Sequence, residues 1–228
     1  MNLSRCNNII DISALSNVHI LFLKYNKNII NIFTLNNIYI LDLTFCENLI
    51  DVSALGNIHS LNLSNCYNIE NVSALGNVYI LYLCNCYKIT NVSALGNVHK
   101  LDLTFCENLE DVSALGHVNI LNLNNCKKII NVSALGNNHN LDLSFCQNIS
   151  DVSALGNIHN LDLSFCQNIE NISALNNVHI LNLFHCNNIS DLSSIHTIYI
   201  NFHKYEIQNE DYDFNFLNEF NDFNKFFL

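Results

Sequence analysis

A block of about twenty residues recurs from near the first residue to about position 200, and at 151–170 it reads DVSALGNIHNLDLSFCQNIE. A unit this short cannot bury an apolar face alone. It must stack on its neighbours, and a stack of such units is a solenoid. Within the unit two Leu stand two apart and a Cys follows three residues on, the pattern of one strand followed by a returning segment. The unbroken period assigns one elongated domain to residues 1–203 and leaves 204–228 as an aromatic, acidic capping tail.

In the unit from Val98 to Ala114 the segment VHKLDL alternates around Leu101 and Leu103, which are expected to point into the solenoid with Val98. Successive strand side chains take opposite faces, so Lys100, Asp102 and Thr104 line the other, concave side. Cys106 then takes an inward slot, where its small thiol remains a weak donor to a nearby carbonyl. Leu109 and Val112 add apolar contacts as the chain turns back. Asp111 is placed to cap a short helical turn through Ser113, Ala114 and Leu115. All six glycines, Gly56 to Gly156, fall at the next phase, which implies either positive φ or a close approach of backbone.

Nine of the ten cysteines, Cys6, Cys46, Cys66, Cys86, Cys106, Cys126, Cys146, Cys166 and Cys186, share one phase, and Asn26 takes the remaining slot. This is a structural column, unlike the irregular spacing of a disulfide framework or the close pairs of a zinc site. Cys84 and Cys86, the one close pair, are read as pointing to opposite faces. Inward, reduced, inert thiols are therefore expected, in a cytoplasmic, reducing location. Asn-x-Ser sequons begin at Asn71, Asn91 and Asn131 and would accept glycans in a secreted chain. Yet Asp11, Asp51, Asp111, Asp151 and Asp191 share their phase, so what the position keeps is an oxygen that caps the turn into VSAL.

The run LDLTFCENLEDVSALG at 101–116 resembles the cysteine-containing leucine-rich repeats, L-x-L-x-x-C-x-x-I/L-x-D, best known from F-box substrate adaptors. Its DVSAL half is similar to the bacterial internalin type. The resemblance covers about nine-tenths of the chain and implies an α/β-type repeat solenoid with a parallel concave sheet. Short turns or 3-10 segments are expected on the convex side, with gentle curvature. Ten turns at about 4.8 Å give a body of about 48 Å. The resemblance also leaves open a substrate-recognition subunit of a ubiquitin ligase lacking its F-box in this chain, or a structural element of a larger assembly.

The net charge of -11, with nine Lys and Arg, opposes binding to nucleic acid or an anionic membrane surface. No stretch approaches the ~18 unbroken apolar residues of a membrane span. The start MNLSRCNNII lacks the apolar run of a secretory signal. The expected partner is a basic or neutral protein.

The concave positions repeat often enough to make a binding face. One column reads Asn62, Tyr82, Asp102, Asn122, Asp142, Asp162 and Asn182, and Phe45, Phe105, Phe145 and Phe165 precede cysteines. The predicted partner-binding set is Asp42, Phe45, Tyr82, Asp102, Phe105, Asp142, Phe145, Asp162 and Phe165. Aromatic rings anchor interfaces and acidic groups select basic partners; the alternative is that each Phe folds down over the next turn. Asp142 and Asp162 should stand on adjacent strands and repel, but calcium wants six to eight oxygens and only Ser144 and Ser164 add to them. The column His139, His159 and His179 is read as solvated. No metal or cofactor is expected. Ser, His and Asp each recur at a fixed phase, whereas an active site needs a singular constellation. Cys84 is the singular nucleophile and no base is placed for it, so the chain is read as a non-catalytic scaffold.

The first strand, Leu3 to Cys6, begins inside a repeat and presents an unpaired parallel edge, which is read either as the mark of a piece of a longer product or as an edge open to self-association. At the other end Asn201 and His203 are read into the slots of the paired Leu. Beyond Tyr205, the residues Phe216, Leu217, Phe220, Phe223 and Phe227 follow helical spacing, either as a helix closing the core or as a detachable partner-binding helix.

Overall fold

In the turn that starts at Leu101 the apolar residues stand two apart once and then three apart: Leu101, Leu103, Cys106, Leu109, Val112, Leu115 and Val118, none more than 1% exposed. The two-residue step is a strand. Most three-residue steps are closed by a backbone bond from the third N–H to the first carbonyl. Cys106 bonds Leu103 at 2.9 Å, Leu109 bonds Cys106 at 3.1 Å, Leu115 bonds Val112 at 2.9 Å and Val118 bonds Leu115 at 3.1 Å. Such closures make tight turns and 3-10 geometry, with no room for an α-helix. The convex side of this turn accordingly carries the three-residue 3-10 segment Ser113–Leu115. The same phases recur up the chain and merge into one apolar core.

The computed structural model describes residues 1–201 except 7, 10, 36, 194 and 196–198, and at 199–201 the backbone only. Ten three-residue strands form one parallel sheet in chain order. They are β1 (Ile20–Phe22), β2 (Ile40–Asp42), β3 (Ser60–Asn62), β4 (Ile80–Tyr82), β5 (Lys100–Asp102), β6 (Ile120–Asn122), β7 (Asn140–Asp142), β8 (Asn160–Asp162), β9 (Ile180–Asn182) and β10 (Tyr199–Asn201). From β1 to β9 every residue pairs with the one twenty positions on, as Leu101 does with Leu121. The final pairing differs. Ile200 pairs with Leu181 and Asn201 with Asn182, an offset of nineteen. Asn201 therefore takes the register position of Asn182, and the sequence reading that put it in a Leu slot is corrected. A connection one residue shorter moves the strand by one register, which exchanges its faces. His203 and the whole tail of 204–228, including Phe216 to Phe227, lie outside the described residues.

Side-chain ladders tie each turn to the one before. The Cys106 thiol donates to the Leu83 carbonyl at 3.3 Å and the Cys126 thiol to Leu103 at 3.2 Å. Asn26 does the same work with its amide, donating to Leu3 at 2.9 Å and Leu23 at 2.8 Å. Cys6 departs from the inward expectation and is exposed. A second ladder runs along the turns that follow: Asn108 donates to the Tyr87 carbonyl at 2.8 Å, Asn148 to Lys127 at 2.7 Å and Asn188 to Gln167 at 2.7 Å. At the capping phase Asp111 accepts from the Ser113 N–H at 2.9 Å, and Asn71 accepts from Ser73 at 3.0 Å. The glycines have no positive φ. Their reason is proximity: a Cβ on Gly116 would overlap the Ala134 carbonyl oxygen.

Candidate functional site

The outward column closes each strand before it forms any surface. Oδ1 of Asp102 accepts from the Thr104 N–H at 2.9 Å, and Asp142 and Asp162 accept from Ser144 and Ser164 at 2.8 Å each. Asn62 and Asn122 accept from Ser64 at 2.9 Å and Asn124 at 2.8 Å. Asp and Asn interchange here because both supply the oxygen of an Asx turn. Tyr82 has no such oxygen, and Lys100 places its Nζ 5.4 Å from the centre of that ring. This use of the carboxylates corrects the picture of a freely exposed acidic stripe. Asp102 is half-buried, and Asp42, Asp142 and Asp162 are 7%, 9% and 8% exposed.

The acids also differ in their counter-charges. Lys24 pairs with Asp42 at 2.9 Å. Burial pushes the Asp102 carboxyl up, while its bonds to Thr104 and the charge of Lys100 pull it back. Asp142 and Asp162 are register partners on β7 and β8. Burial raises both, and the charge of Asp162 raises Asp142 further. Asn182 donates to Asp162 at 2.8 Å, a neutral partner in place of a cation.

The four phenylalanines sit at a backbone position the sequence reading missed. Phe45, Phe105, Phe145 and Phe165 all have φ of 60–62°, as does every residue at their phase from Arg5 to His185 within a few degrees. This left-handed residue turns the chain out of the strand into its first three-residue step. Asn65, Asn85 and Asn125 suit it, since Asn tolerates that region best after Gly. The aromatic residues accept it and gain stacking. Phe145 and Phe165 are 4.2 Å apart, Phe165 and His185 4.8 Å, and Tyr25 and Phe45 4.7 Å. Phe105 stands between Asn85 and Asn125 and is 40% exposed. The predicted set is thus brought together in part: Asp142, Phe145, Asp162 and Phe165 form one cluster, Tyr82, Asp102 and Phe105 a second, and Asp42 with Phe45 a third nearer the first turn. The left-handed turn also explains Cys84 and Cys86. Two residues apart on a strand would share a face, and it is the turn at Asn85, with φ of 60°, that separates them.

A stack of rings lines the rim where the strands begin. His19, Tyr39, His59, Tyr79 and His99 follow one another at centroid spacings of 4.9, 4.5, 5.0 and 4.5 Å. His139, His159 and His179 continue at 4.7 and 4.5 Å. The alternation of His and Tyr at one phase was readable in the sequence, where only its last three members were noticed. Stacked imidazoles have parallel planes, so their in-plane lone pairs cannot converge on one ion. Among the described residues no group of three or more His, Cys, Asp and Glu is placed to hold a metal.

No protein-family model matches the chain, and no curated protein sequence matches it. Solved structures do. An internalin, InlF of Listeria monocytogenes, superposes with a TM-score of 0.56 at 22% identity, over 86% of this chain and 72% of that one. The chain has the leucine-rich-repeat fold. A second internalin of the same organism, InlC2, is 26% identical with a TM-score of 0.43, over 75% of this chain and 73% of that one. The complex of Rad7 and Elc1 in yeast gives 16% identity and a TM-score of 0.48, over 81% of this chain and 54% of that one.

Within this leucine-rich repeat burial holds the column thiols from Cys46 to Cys186 protonated. Burial pushes Cys46, Cys146 and Cys186 up to about 12 and raises Cys106 as well. Cys84, the one cysteine off the column, is half-buried and also pushed up to about 12 by burial and then by the charge of Asp102. A thiol held protonated is a poor nucleophile, so Cys84 loses the reactivity its singular position suggested. The recesses of the surface lie between turns on the convex side, bounded for example by Glu110, Asp111 and Asn131. No helix among the described residues is long and apolar enough to cross a membrane.

Proposed function

We propose that this leucine-rich repeat is a non-catalytic scaffold that engages a basic protein through the concave side of β5 to β8. The observation that carries the reading is the cluster of Asp142, Phe145, Asp162 and Phe165. Two carboxylates without a lysine partner among the described residues are followed, three positions on, by a stacked pair of rings, one of which is 38% exposed. Phe supplies an anchor and the acids supply selectivity for positive charge, while a chain of net charge -11 steers a cationic partner toward it. A reducing, cytoplasmic location fits a chain whose ten cysteines are all free, eight of them buried.

Proximity labelling identifies the partner, and kinetics with purified proteins then test the face. Changing Asp102, Asp142 and Asp162 to Asn keeps the Asx oxygen, so the fold is expected to stand while association slows and loses its salt dependence. Changing Phe105, Phe145 and Phe165 to Ala should chiefly speed release. Folded variants that bind as well as the parent would overturn the proposal. Co-purification with a cullin adaptor in place of a basic partner would shift the reading to a ubiquitin-ligase subunit.

A further inference from the structure

The rim stack has one missing rung. Nine described residues from His19 to His179 share its phase, and eight carry rings; the ninth is Asn119. Its backbone keeps the column in register: the Asn119 carbonyl accepts from the His139 N–H at 3.0 Å, and the Ile120 N–H donates to His99 at 3.1 Å. The two stacks therefore end facing each other, at His99 and at His139. Each of those rings is held on its far side, His99 by Tyr79 at 4.5 Å and 3°, His139 by His159 at 4.7 Å and 4°. Two strand spacings separate them, about 9.6 Å. A planar group centred between them would lie about 4.8 Å from each, within the 4.5–5.0 Å that separates the existing rungs.

Asn119 fills only the root of this gap. A carboxamide ends at its δ atoms, where an imidazole goes on to Cε1 and Nε2, so Asn119 leaves the outer half of this rung without a ring. The amide makes no side-chain hydrogen bond among the described residues, and Asn119 is partly exposed. A planar occupant could thus meet Oδ1 edge-on while its faces stack on the two histidines.

We infer that the gap between His99 and His139 is a slot for an arginine side chain of a partner protein, stacked between the two imidazoles with a guanidinium N–H donated to Asn119. The molecule already uses a guanidinium as a rung. In the column at the other end of the strands Arg5 lies 5.0 Å over Tyr25, which in turn stacks on Phe45 at 4.7 Å. Guanidinium is planar, weakly hydrated and rich in donors, and it stacks on aromatic faces where an ammonium does not. The net charge of -11 favours a cation over an anionic nucleotide. The nearby Lys100 is engaged with Tyr82 and does not fill the slot. The inference rests on the reading of the chain as a binder of a basic protein, and it adds a contact at the rim, apart from the concave acids.

The test is a titration of the isotopically labelled full chain with N-acetylargininamide, followed through the ring resonances of His99 and His139. Saturable shifts at these two rings are expected, with an affinity about tenfold above those of N-acetyllysinamide and N-acetylcitrullinamide, given two stacking contacts and one charge-assisted bond. Asn119→His fills the rung with the residue found in the turns above and below, so it should fold normally and abolish the shifts. Equal response to the lysine compound, preference for adenosine, persistence in Asn119→His, or no saturable response would each overturn the slot. Partner binding that still depends on Asp142 and Phe145 after such a result would leave the concave-face proposal standing and remove this one alone.

Discussion

Asp142 and Asp162 stand side by side on adjacent strands, each nearly buried, each holding the N–H of the serine two residues on, and with no lysine paired to either among the described residues. Asp42, in the same column, has Lys24 at 2.9 Å. Two like charges this close and this dry cannot both ionise cheaply. Burial pushes Asp142 up to about 7, with the charge of Asp162 adding to it, and Asp162 is raised as well.

The sign of the resulting pH dependence follows. Both carboxyls bind protons more tightly in the folded chain than in the unfolded one. Their contribution is most favourable below the ordinary value of 3.8 and is lost as pH rises toward about 7. Asp142→Asn with Asp162→Asn should therefore raise Tm at pH 8, by roughly 5 °C, and the gap from the parent should close near pH 4. Thermal melts across that range decide it; a gap independent of pH would refute the shared-proton account.

The capping aspartates behave in the opposite sense. Bonds from the serine two residues on hold them below the usual carboxylate range, the hydroxyl first and then the N–H for Asp111, Asp151 and Asp191, and the N–H first and then the hydroxyl for Asp11 and Asp51. The stability they supply is present above 3.8 and lost as pH falls through their folded values. Asp111→Asn keeps the acceptor and should remove only the acid-side component. Melts of the variant and parent between pH 2 and 5 would show converging curves, and parallel curves would refute it.

Leu103 is fully buried and its carbonyl accepts both the Cys106 N–H and the Cys126 thiol. Leu103→Ala should cost about 2–5 kcal/mol in chemical denaturation, from lost transfer energy and a residual cavity. Gly116→Ala should cost about 1–3 kcal/mol, because the added methyl meets the backbone oxygen of Ala134, which cannot swing aside. A neutral Gly116→Ala would mean that the turns stack more loosely than described.

Phe105 holds a φ of 60°, and among the described residues no ring stacks on it. Phe105→Asn should be tolerated or stabilising, and Phe105→Val should fall below it by about 1–2 kcal/mol, because a β-branched residue is strained in the left-handed region. Equal stability of the two variants would show that the turn relaxes.

Native thiol titration should find one fast group, Cys6, with Cys84 and the eight buried cysteines reacting slowly. Two or more fast thiols in the folded chain would contradict the burial of the column.

The sequence by itself determined the solenoid, the inward faces and the caps, because each rests on local chemistry repeated at a fixed phase. Leu101 and Leu103 alternate as a strand must, Asp111 and Asn71 share one acceptor oxygen, and the cysteine column has no spacing that a disulfide or zinc site could use. What the period could not carry was left to the tertiary structure. The offset at β10 comes from a single shortened connection, which pairs Asn201 with Asn182 although the count of twenty pairs it with Leu181. The left-handed φ at Phe105 is set by the turn between strand and convex side, and no aromatic residue announces it. The burial of Asp142 and Asp162 depends on what packs around two neighbouring strands, as does the absence of a lysine like Lys24. Periodicity states which residues are alike; only the stacking of turns decides which of those like residues differ in charge, strain and exposure.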